Sequence, residues 1–412
     1  MNSTVSKGKA QTLSLGQLLK SNIRDYAMYI VLALLFVVFG ILTNGLFLSP
    51  RNLTDLVNQT GYVAVLAIGM TCILIISHID LSVGYVAGFL GAVAATLLTF
   101  NGWPLAVVIP LILIFGILIG MYQGFLVSVV KVPAFVTTLA GQFIFRGLLM
   151  LITAGSGTII VRNEVFRALS NGNIPSLFVI PLQTVTDEAG VTTVTSGIHV
   201  LTLAIGLIAA ALLIISQVRA RSNMKRYNFR IISTGAFVLK LLLFTAILVG
   251  VTWIMANYRG LPWTAIIVAA VLLIYNFILN KTRLGRSIYA IGGNAEAAEL
   301  SGINVRRVTF MTFCSMSMLA ALSGILYTSR LASATPTAGL GFELDAIASS
   351  YIGGVAVSGG VGKVTNTIVG ALVIMSLTNG MNLLGVDISF QYIVKGVIFI
   401  LAVAFDVISR KK

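Results

Sequence analysis

The sequence predicts an all-α bundle that crosses a membrane about 10–12 times. Of the 412 residues, 58% are hydrophobic and 9% are charged, whereas soluble proteins carry about 25% charged residues. The hydrophobic residues form runs long enough for membrane helices, each of which needs about 20 mostly apolar residues. Short polar or glycine- and proline-containing segments separate these runs. A chain of this kind builds its core from helices packed against one another in lipid.

Five membrane spans with short connections are predicted in the first part of the chain. They cover residues 26–46, 61–77, 81–99, 105–130 and 135–153. The fourth span carries Gly116, Gly120 and Gly124 at four-residue spacing. This spacing places the three glycines on one helix face, where they permit close packing against another helix.

The second part of the chain begins with a long segment, residues 154–198, that is rich in Gly, Thr and Asn and has nearly balanced charges. It predicts an ordered external cap. Further spans are predicted at residues 199–216, 236–255, 263–279, 308–328, 365–384 and 388–408. Residues 342–357 are short for a span, and they form either a crossing or a re-entrant segment.

Lys and Arg predict which segments face the cytoplasm. The net charge is +15, and most of the basic residues lie outside the apolar runs. They concentrate in the tail 1–25, the loop 219–230, the segment 281–307 and the tail 410–412, with the membrane domain at 26–409. An excess of Lys and Arg marks cytoplasmic loops, so both termini are predicted to be cytoplasmic. This distribution argues against nucleic-acid binding.

Cys72 and Cys314 lie in apolar runs and are predicted to be free.

The most informative segment is 281–307, KTRLGRSIYAIGGNAEAAELSGINVRR. Gly292-Gly293 is predicted to break the preceding structure. Asn294 is a good N-cap, and Glu296 falls in the first turn, where the helix dipole favours a carboxylate. Gly302 is placed to end the helix. The pattern predicts a capped helix of about two turns that docks into another protein as a rigid projection. The alternative is a plain solvated loop.

This segment resembles the cytoplasmic coupling loop of bacterial ABC-transporter permeases for monosaccharides, whose pattern is close to GR-x-x-YAIGGN-x-x-AA-x-LSGI. The resemblance implies a surface that couples to an ATPase. Its residues here are Gly285, Arg286, Gly292, Gly293, Asn294, Glu296, Ala297, Ala298 and Gly302.

A second motif, HIDLSVG, starts at His78 and contains Asp80 and Ser82. A charged residue at the bilayer centre costs about 2.5–3.5 kcal/mol on insertion scales. Two interpretations stay open: a helix broken at a cavity, or a turn in which Asp80 caps the next helix. The IDLSVG sequence resembles the translocation region of the same permease family, and the preceding Ser77-His78 resembles its xylose and multi-sugar branch.

A third motif begins at Ala334 and includes GFELDAIA, followed by the glycine-rich GGVAVSGGVGK. It resembles the multiple-monosaccharide and xylose permeases. Glu343 and Asp345 begin an apolar helix, where helix-start electrostatics explains their position. The glycine-rich run is not a phosphate loop, because Val357 replaces the first glycine and Val364 replaces Ser or Thr. ATP hydrolysis is therefore expected on a separate subunit.

A sugar pathway needs neutral hydrogen-bonding groups and aromatic faces. The candidates are Asp80, Ser82, Tyr122, Gln123, Asn379, Asn382 and Gln391, with Gln142 as a further polar residue. The neutral residues among them can equally form interhelical hydrogen bonds.

The sequence thus predicts the permease subunit of an ATP-driven ABC importer for a monosaccharide such as xylose, in the bacterial inner membrane. The resemblance implies a cytoplasmic ATPase, a periplasmic sugar-binding protein, a permease homodimer and contact with membrane lipid. No cofactor, metal site or nucleic acid is expected. The alternative is an ion-coupled secondary sugar transporter, which Asp80 favours and the capped helix disfavours. A membrane enzyme would need a reactive set of residues, and the sequence has none.

Overall fold

The computed structural model describes residues 12–13, 23–176, 179–186, 192–227 and 231–410. Contacts within the chain divide it into two compact units. The smaller unit contains Met1–Ala27 and Asn173–Leu261, and the larger contains Met28–Gly172 and Pro262–Lys412. All residues that the sequence predicts for the functional site lie in the larger unit.

The described residues form fifteen α-helices. They are α1 (Ile23–Leu42), α2 (Pro50–Ile75), α3 (Val83–Thr99), α4 (Leu105–Phe125), α5 (Ala134–Thr153), α6 (Glu164–Asn171), α7 (Val200–Arg226), α8 (Thr234–Ala256), α9 (Trp263–Lys281), α10 (Arg283–Gly293), α11 (Ala295–Leu300), α12 (Val305–Leu331), α13 (Phe342–Ile352), α14 (Val364–Leu383) and α15 (Ile388–Arg410). A π-helical turn, Leu126–Val130, extends α4.

Strands contribute little to the described fold. They are β1 (Thr12–Leu13), β2 (Ile159–Ile160), β3 (Val179–Thr186), β4 (Thr192–His199), β5 (Ile231–Ile232) and β6 (Ser333–Ala334). They pair as β1 with β5, parallel, and as β2 with β6 and β3 with β4, both antiparallel.

Eight described helices are long and apolar enough to cross a membrane, and three shorter apolar helices accompany them. The three shorter ones are Met28–Leu42, Val83–Thr99 and Ile388–Ala404. The prediction of a polytopic transmembrane helical bundle is therefore confirmed. Cys72 and Cys314 are both free, with Cys72 buried and Cys314 half-buried.

Helix α2 forms the centre of the larger unit, and every residue from Thr60 to Ile75 is buried. It begins at Pro50, eleven residues before the predicted start at Gly61. The prediction was wrong because Ser49 and Pro50, taken to end the preceding span, instead form an N-cap and first helical position. Ser49 Oγ accepts a hydrogen bond from Asn52 N at 3.3 Å.

The glycine face of α4 packs against α12, as its spacing predicts. An ideal Cβ at Gly116 would lie 2.7 Å from Ser317 O, and one at Gly120 would lie 2.6 Å from Phe313 O. These distances leave no room for a side chain larger than hydrogen. The glycines therefore bring the two helix backbones together.

Helix α13 is too short to cross a bilayer. Its 11 residues rise about 16 Å, whereas the hydrocarbon core is about 30 Å thick. The helix starts after a segment that begins at β6, where Ala334 pairs with Ile159 of β2. It ends at the glycine-rich segment before α14. Of the two interpretations of residues 342–357, this geometry favours the re-entrant one.

In the smaller unit, α7 and α8 are long apolar helices, and the strands β3 and β4 pair with Val179 opposite His199. Helix α7 continues to Arg226, past the predicted end of the span at Ser216. Lys and Arg are good helix formers, so the basic residues extend the helix instead of ending it. Residues 228–230 of the predicted basic loop lie outside the described residues, as do most of the tail 1–25 and residues 411–412.

Candidate functional site

The segment between α9 and α12 folds into two short helices joined at Asn294. Thr282 caps α10, because its Oγ1 accepts a hydrogen bond from Gly285 N at 3.2 Å. Asn294 caps α11, because its Oδ1 accepts a hydrogen bond from Ala297 N at 2.9 Å. The cap at Asn294 is the one that the sequence predicts, and it pairs an amide that the helix itself leaves unpaired. Glu296 stands in the first turn of α11.

The end of α11 is also fixed by hydrogen bonds. Ile303 N donates to Ala298 O at 3.0 Å, and Gly302 N donates to Glu299 O at 2.9 Å. Gly302 has a φ of +82°, the left-handed conformation that this pattern requires and that glycine adopts without strain. Both ends of α11 are therefore held in place by its own sequence.

Most side chains of helix α11 are exposed. Ala298 is buried, whereas Leu300 is 90% exposed. We define the α11 surface as the exposed residues Glu296, Ala297, Glu299 and Leu300. The nearby basic residues Arg283, Arg286, Arg306 and Arg307 are exposed as well. A leucine so exposed contributes little to the stability of the chain itself.

The structure corrects the prediction for Gly292 and Gly293, which do not break the preceding structure. They form the last turn of α10. An ideal Cβ at Gly292 would lie 2.5 Å from Gly360 N and closer still to Ile75 O, whereas one at Gly293 would have nothing within 4 Å. The physical reason is packing, since at Gly292 the backbone of α10 touches two other backbone segments.

We call this contact the Gly292 junction and define it by Ile75, Tyr289, Gly292, Gly360 and Gly362. Gly360 N donates to Ile75 O at 2.8 Å, and Tyr289 Oη donates to Gly362 O at 2.7 Å. The glycine-rich segment after α13 therefore joins α10 to the end of α2. This role accounts for its glycines without a bound phosphate.

Just beyond the junction, the chain breaks between α2 and α3. Ser77 Oγ donates to Ser358 O at 3.1 Å. Asp80 is fully buried, and its Oδ1 accepts from Ser82 N at 2.9 Å and from Ser82 Oγ at 2.7 Å. Gln123 Nε2, from α4, donates to Ser82 Oγ at 2.7 Å. Three of the predicted pathway residues thus meet in one buried polar cluster.

Part of this cluster has no hydrogen-bond partner. Among the described residues, Asp80 Oδ2 and Gln123 Oε1 are buried and unpaired. Most buried polar groups in proteins are paired, so an unpaired carboxylate oxygen inside a bundle is unusual. Tyr122 does not join the cluster, and its side chain is 47% exposed. Adjacent residues of a helix point in different directions, which explains why the structure separates Tyr122 from Gln123.

The amino-terminal ends of α3 and α13 meet next to this break. An ideal Cβ at Gly84 would collide with Glu343 Oε2 and with Gly339 O. Gln142 Nε2, from α5, donates to Glu343 Oε1 at 3.5 Å. Helix amino-terminal ends favour negative charge. Asp80 precedes α3 and Glu343 lies in the first turn of α13, so each of the two helix starts has a carboxyl group.

The side chain of Asn379 is hydrogen-bonded to two residues of α2. Asn52 Nδ2 donates to Asn379 Oδ1 at 2.9 Å, and Asn379 Nδ2 donates to Gln59 Oε1 at 3.3 Å. These bonds join α14 to α2. Asn379 therefore fits the interpretation as an interhelical hydrogen bond, which the sequence left open.

Asn382 and Gln391 lie together at a cavity of about 490 Å³ in the larger unit. Gln391 Nε2 donates to Asn382 Oδ1 at 2.7 Å. Asp345 of α13 and Lys395 of α15 also line the cavity. Lys395 Nζ lies 3.0 Å from Asp345 Oδ1. The aromatic lining residues are Tyr62, Tyr327, Tyr392 and Phe399.

Sequence reasoning missed several of these residues. Tyr62 and Tyr327 belong to α2 and α12, and nothing in their local sequence indicates that they share a cavity. Asp345 does lie in the first turn of α13, as predicted, but its ion pair with Lys395 depends on tertiary packing. Within the described part of the chain, no group of three or more His, Cys, Asp or Glu side chains can hold a metal ion.

Comparison with known proteins identifies relatives along nearly the whole chain. Residues 52–403 match the family described as "Branched-chain amino acid transport system / permease component". The xylose transport system permease protein XylH of Haemophilus influenzae is 36% identical, over 95% of this chain and 98% of its own. XylH of Escherichia coli is 36% identical, over 95% and 93%. The ribose import permease protein RbsC of Haemophilus influenzae is 32% identical, over 97% of each chain. No solved structure gives a significant match.

Proposed function

Because the chain belongs to the permease-component family of branched-chain amino acid transport systems, we propose that it is the membrane-spanning subunit of an ATP-driven ABC importer. We further propose that the substrate is a monosaccharide such as xylose. The relatives named for xylose and ribose match along almost their full length, which supports a sugar over an amino acid.

The observation that carries this proposal is the combination of the α11 surface with the Gly292 junction. Helix α11 is capped at both ends and exposed. Helix α10, which precedes it, contacts the end of α2 through the backbone. A partner that moves α11 can therefore displace the break between α2 and α3, where Asp80, Ser82 and Gln123 lie.

In the proposed mechanism, a separate cytoplasmic ATPase binds the α11 surface. ATP binding and hydrolysis favour different conformations of the ATPase, and each conformation favours one state of the permease. The site at the α2–α3 break then opens to alternate sides. A periplasmic sugar-binding protein delivers the substrate, and two permease chains form the translocation unit. The excess of Lys and Arg supports a cytoplasmic position for α11 and for both termini.

Reconstitution tests this proposal. The permease, its ATPase and its binding protein are placed in proteoliposomes, and uptake of labelled xylose, ribose and leucine is measured with and without ATP. We expect sugar uptake that requires both ATP and the ATPase. Uptake of leucine instead of sugars would overturn the substrate class.

The same vesicles test the alternative of an ion-coupled secondary transporter. The buried and unpaired Oδ2 of Asp80 is the observation that favours this alternative. Sugar uptake driven by a proton or sodium gradient, with the ATPase absent, would support it and contradict the importer. We expect such gradients to have no effect.

A further inference from the structure

We infer that the cavity lined by residues of α2, α12, α13, α14 and α15 is a sugar-binding site within the permease itself, formed by neutral amides, tyrosines and an internally neutralised ion pair. This inference rests on the proposed function and adds to it a substrate site separate from the binding protein. We call this space the α13–α15 cavity.

The size and opening of the α13–α15 cavity suit a small polar ligand. Its volume of about 490 Å³ falls in the range of about 300–1,000 Å³ found for small-molecule sites. Its rim includes Leu340, Leu344 and Ile388, which are 54%, 58% and 63% exposed. The cavity is therefore open at its surface.

The charges of the cavity cancel within it. Lys395 Nζ lies 3.0 Å from Asp345 Oδ1 and 3.2 Å from Asp345 Oδ2. An amino acid carries a separate ammonium and carboxylate, and each would have to compete with this pair. A sugar carries only hydroxyl groups, which donate to the carboxylate or accept from the ammonium while the pair stays intact. The ion pair therefore favours a neutral polyol.

Two amides supply neutral hydrogen-bonding groups. Gln391 Nε2 donates to Asn382 Oδ1 at 2.7 Å and to Val386 O at 3.0 Å, which fixes the orientation of both side chains. Among the described residues, this leaves Asn382 Nδ2 and Gln391 Oε1 without a partner. One is a donor and the other an acceptor. Adjacent hydroxyl groups of a sugar can satisfy both.

Aromatic rings form another part of the cavity lining. The ring centroids of Tyr62 and Tyr327 are 5.1 Å apart, and those of Tyr327 and Phe342 are 4.7 Å apart. This packing holds the two lining tyrosines, Tyr62 and Tyr327, in place. Tyrosine combines an apolar ring with a polar hydroxyl. A sugar ring likewise has an apolar C–H face and polar edges, so the two surfaces match.

The test is ligand protection of a cysteine introduced into the cavity. Thr378 lines the cavity, whereas Ser389 is exposed and does not line it. Thr378→Cys and the control Ser389→Cys are each made in a Cys314→Ser background, because Cys314 is the more accessible native thiol. Both variants are labelled with a polar maleimide in the reconstituted transporter, with xylose, ribose, leucine or no ligand.

We expect a sugar at about ten times its dissociation constant to slow labelling of Thr378→Cys about tenfold. Leucine should leave that rate unchanged, and neither ligand should affect Ser389→Cys. Replacing Gln391 with Leu should raise the sugar concentration for half protection about five- to tenfold, since it removes one or two neutral hydrogen bonds. The matched variant Gln217→Leu, exposed on α7, should not change it.

Three outcomes would overturn the inference. One is labelling that no sugar slows while the wild-type transporter takes up sugar with ATP, in which case the proposed function stands without this site. Another is protection by leucine instead of sugar. The third is protection that does not depend on sugar and that disappears only when lipid is removed. That result would make the cavity a lipid site. Failure of the wild-type complex to transport sugar would instead count against the proposed function, and sugar protection remains measurable in that case.

Discussion

Helices α10 and α11 are neighbours in sequence but differ in how they contact the rest of the chain. At Gly292, α10 lies so close to Ile75 and Gly360 that an ideal Cβ would collide with their backbone atoms. Helix α11 is capped at both ends, and Leu300 at its end is 90% exposed. The difference separates two tasks: α11 is available to a partner, and α10 connects α11 to the bundle.

This division of tasks explains how an external force can reach the buried polar cluster. The closest contacts of the Gly292 junction, those of Gly292 with Ile75 and Gly360, are between backbone atoms. Such contacts are less adaptable than contacts between flexible side chains. Asp80 follows Ile75 by only a few residues, and its carboxylate fixes the turn before α3 through Ser82. A displacement of α10 therefore acts on the turn at Asp80 without passing through a mobile side chain.

Substitution of Gly292 should have the largest effect. In Gly292→Ala, the added Cβ meets backbone atoms that cannot rotate away, so we expect a loss of about 1–3 kcal/mol or more and the loss of ATP-driven uptake. The matched control is Gly293→Ala, where a Cβ has nothing within 4 Å. It should be neutral or slightly stabilising. Thermal unfolding and proteoliposome uptake measure both effects, and equal behaviour of the two variants would refute the junction.

Substitution of Gly302 should weaken α11 but not the bundle. Its φ of +82° costs a residue with a Cβ about 1–2 kcal/mol, while the space around it is open. We expect faster hydrogen exchange of the Ile303 amide in Gly302→Ala, with unchanged exchange in α2. Gly302→Asn should have a smaller effect, because Asn tolerates this conformation. Unchanged exchange at Ile303 in Gly302→Ala would show that the helix end is not held by this conformation.

Removal of the Tyr289 hydroxyl should have a moderate effect on the junction. Tyr289→Phe deletes the hydrogen bond to Gly362 O, which is worth about 1 kcal/mol. The control is Tyr122→Phe, because the Tyr122 hydroxyl has no hydrogen-bond partner among the described residues. Calorimetry should show a lower unfolding temperature for Tyr289→Phe alone. Equal unfolding temperatures would mean that this bond does not stabilise the junction.

Truncation of Leu300 should change the stability of the isolated permease least. A side chain that is 90% exposed loses little burial in Leu300→Ala, and surface substitutions usually stay within about 0.5 kcal/mol. The contrasting variant is Ala298→Leu, which enlarges a buried side chain of the same helix. Unfolding of the purified permease should distinguish the two. A clear loss of stability in Leu300→Ala would show that α11 packs on the chain itself.

The sequence predicts those features that depend on neighbouring residues. The cap at Asn294, the left-handed Gly302 and the glycine face of α4 all follow from residue type and spacing within one helix or turn. The start of α2 at Pro50 was also a local feature. It was missed because the run from Ser49 to Asn52 was taken to end the preceding span, although Ser49 caps α2 and Asn52 is buried within it.

Features that depend on distant residues were not predictable from one sequence. Gly292 was expected to break the preceding structure. Its contact with Ile75 and Gly360 was missed because these residues belong to segments that lie far apart in the chain. The cavity shows the same limit. Asn382 and Gln391 were predicted for the pathway, but their meeting with the Asp345–Lys395 pair requires α13, α14 and α15 to pack together.

The most direct test of the α11 surface is co-purification with the ATPase. Leu300→Asp is compared with Leu384→Asp, which places the same charge at an exposed leucine between α14 and α15. We predict that Leu300→Asp loses the ATPase while its unfolding temperature stays at the wild-type value, and that Leu384→Asp retains the ATPase. Retention of the ATPase by Leu300→Asp at the wild-type level would contradict the account.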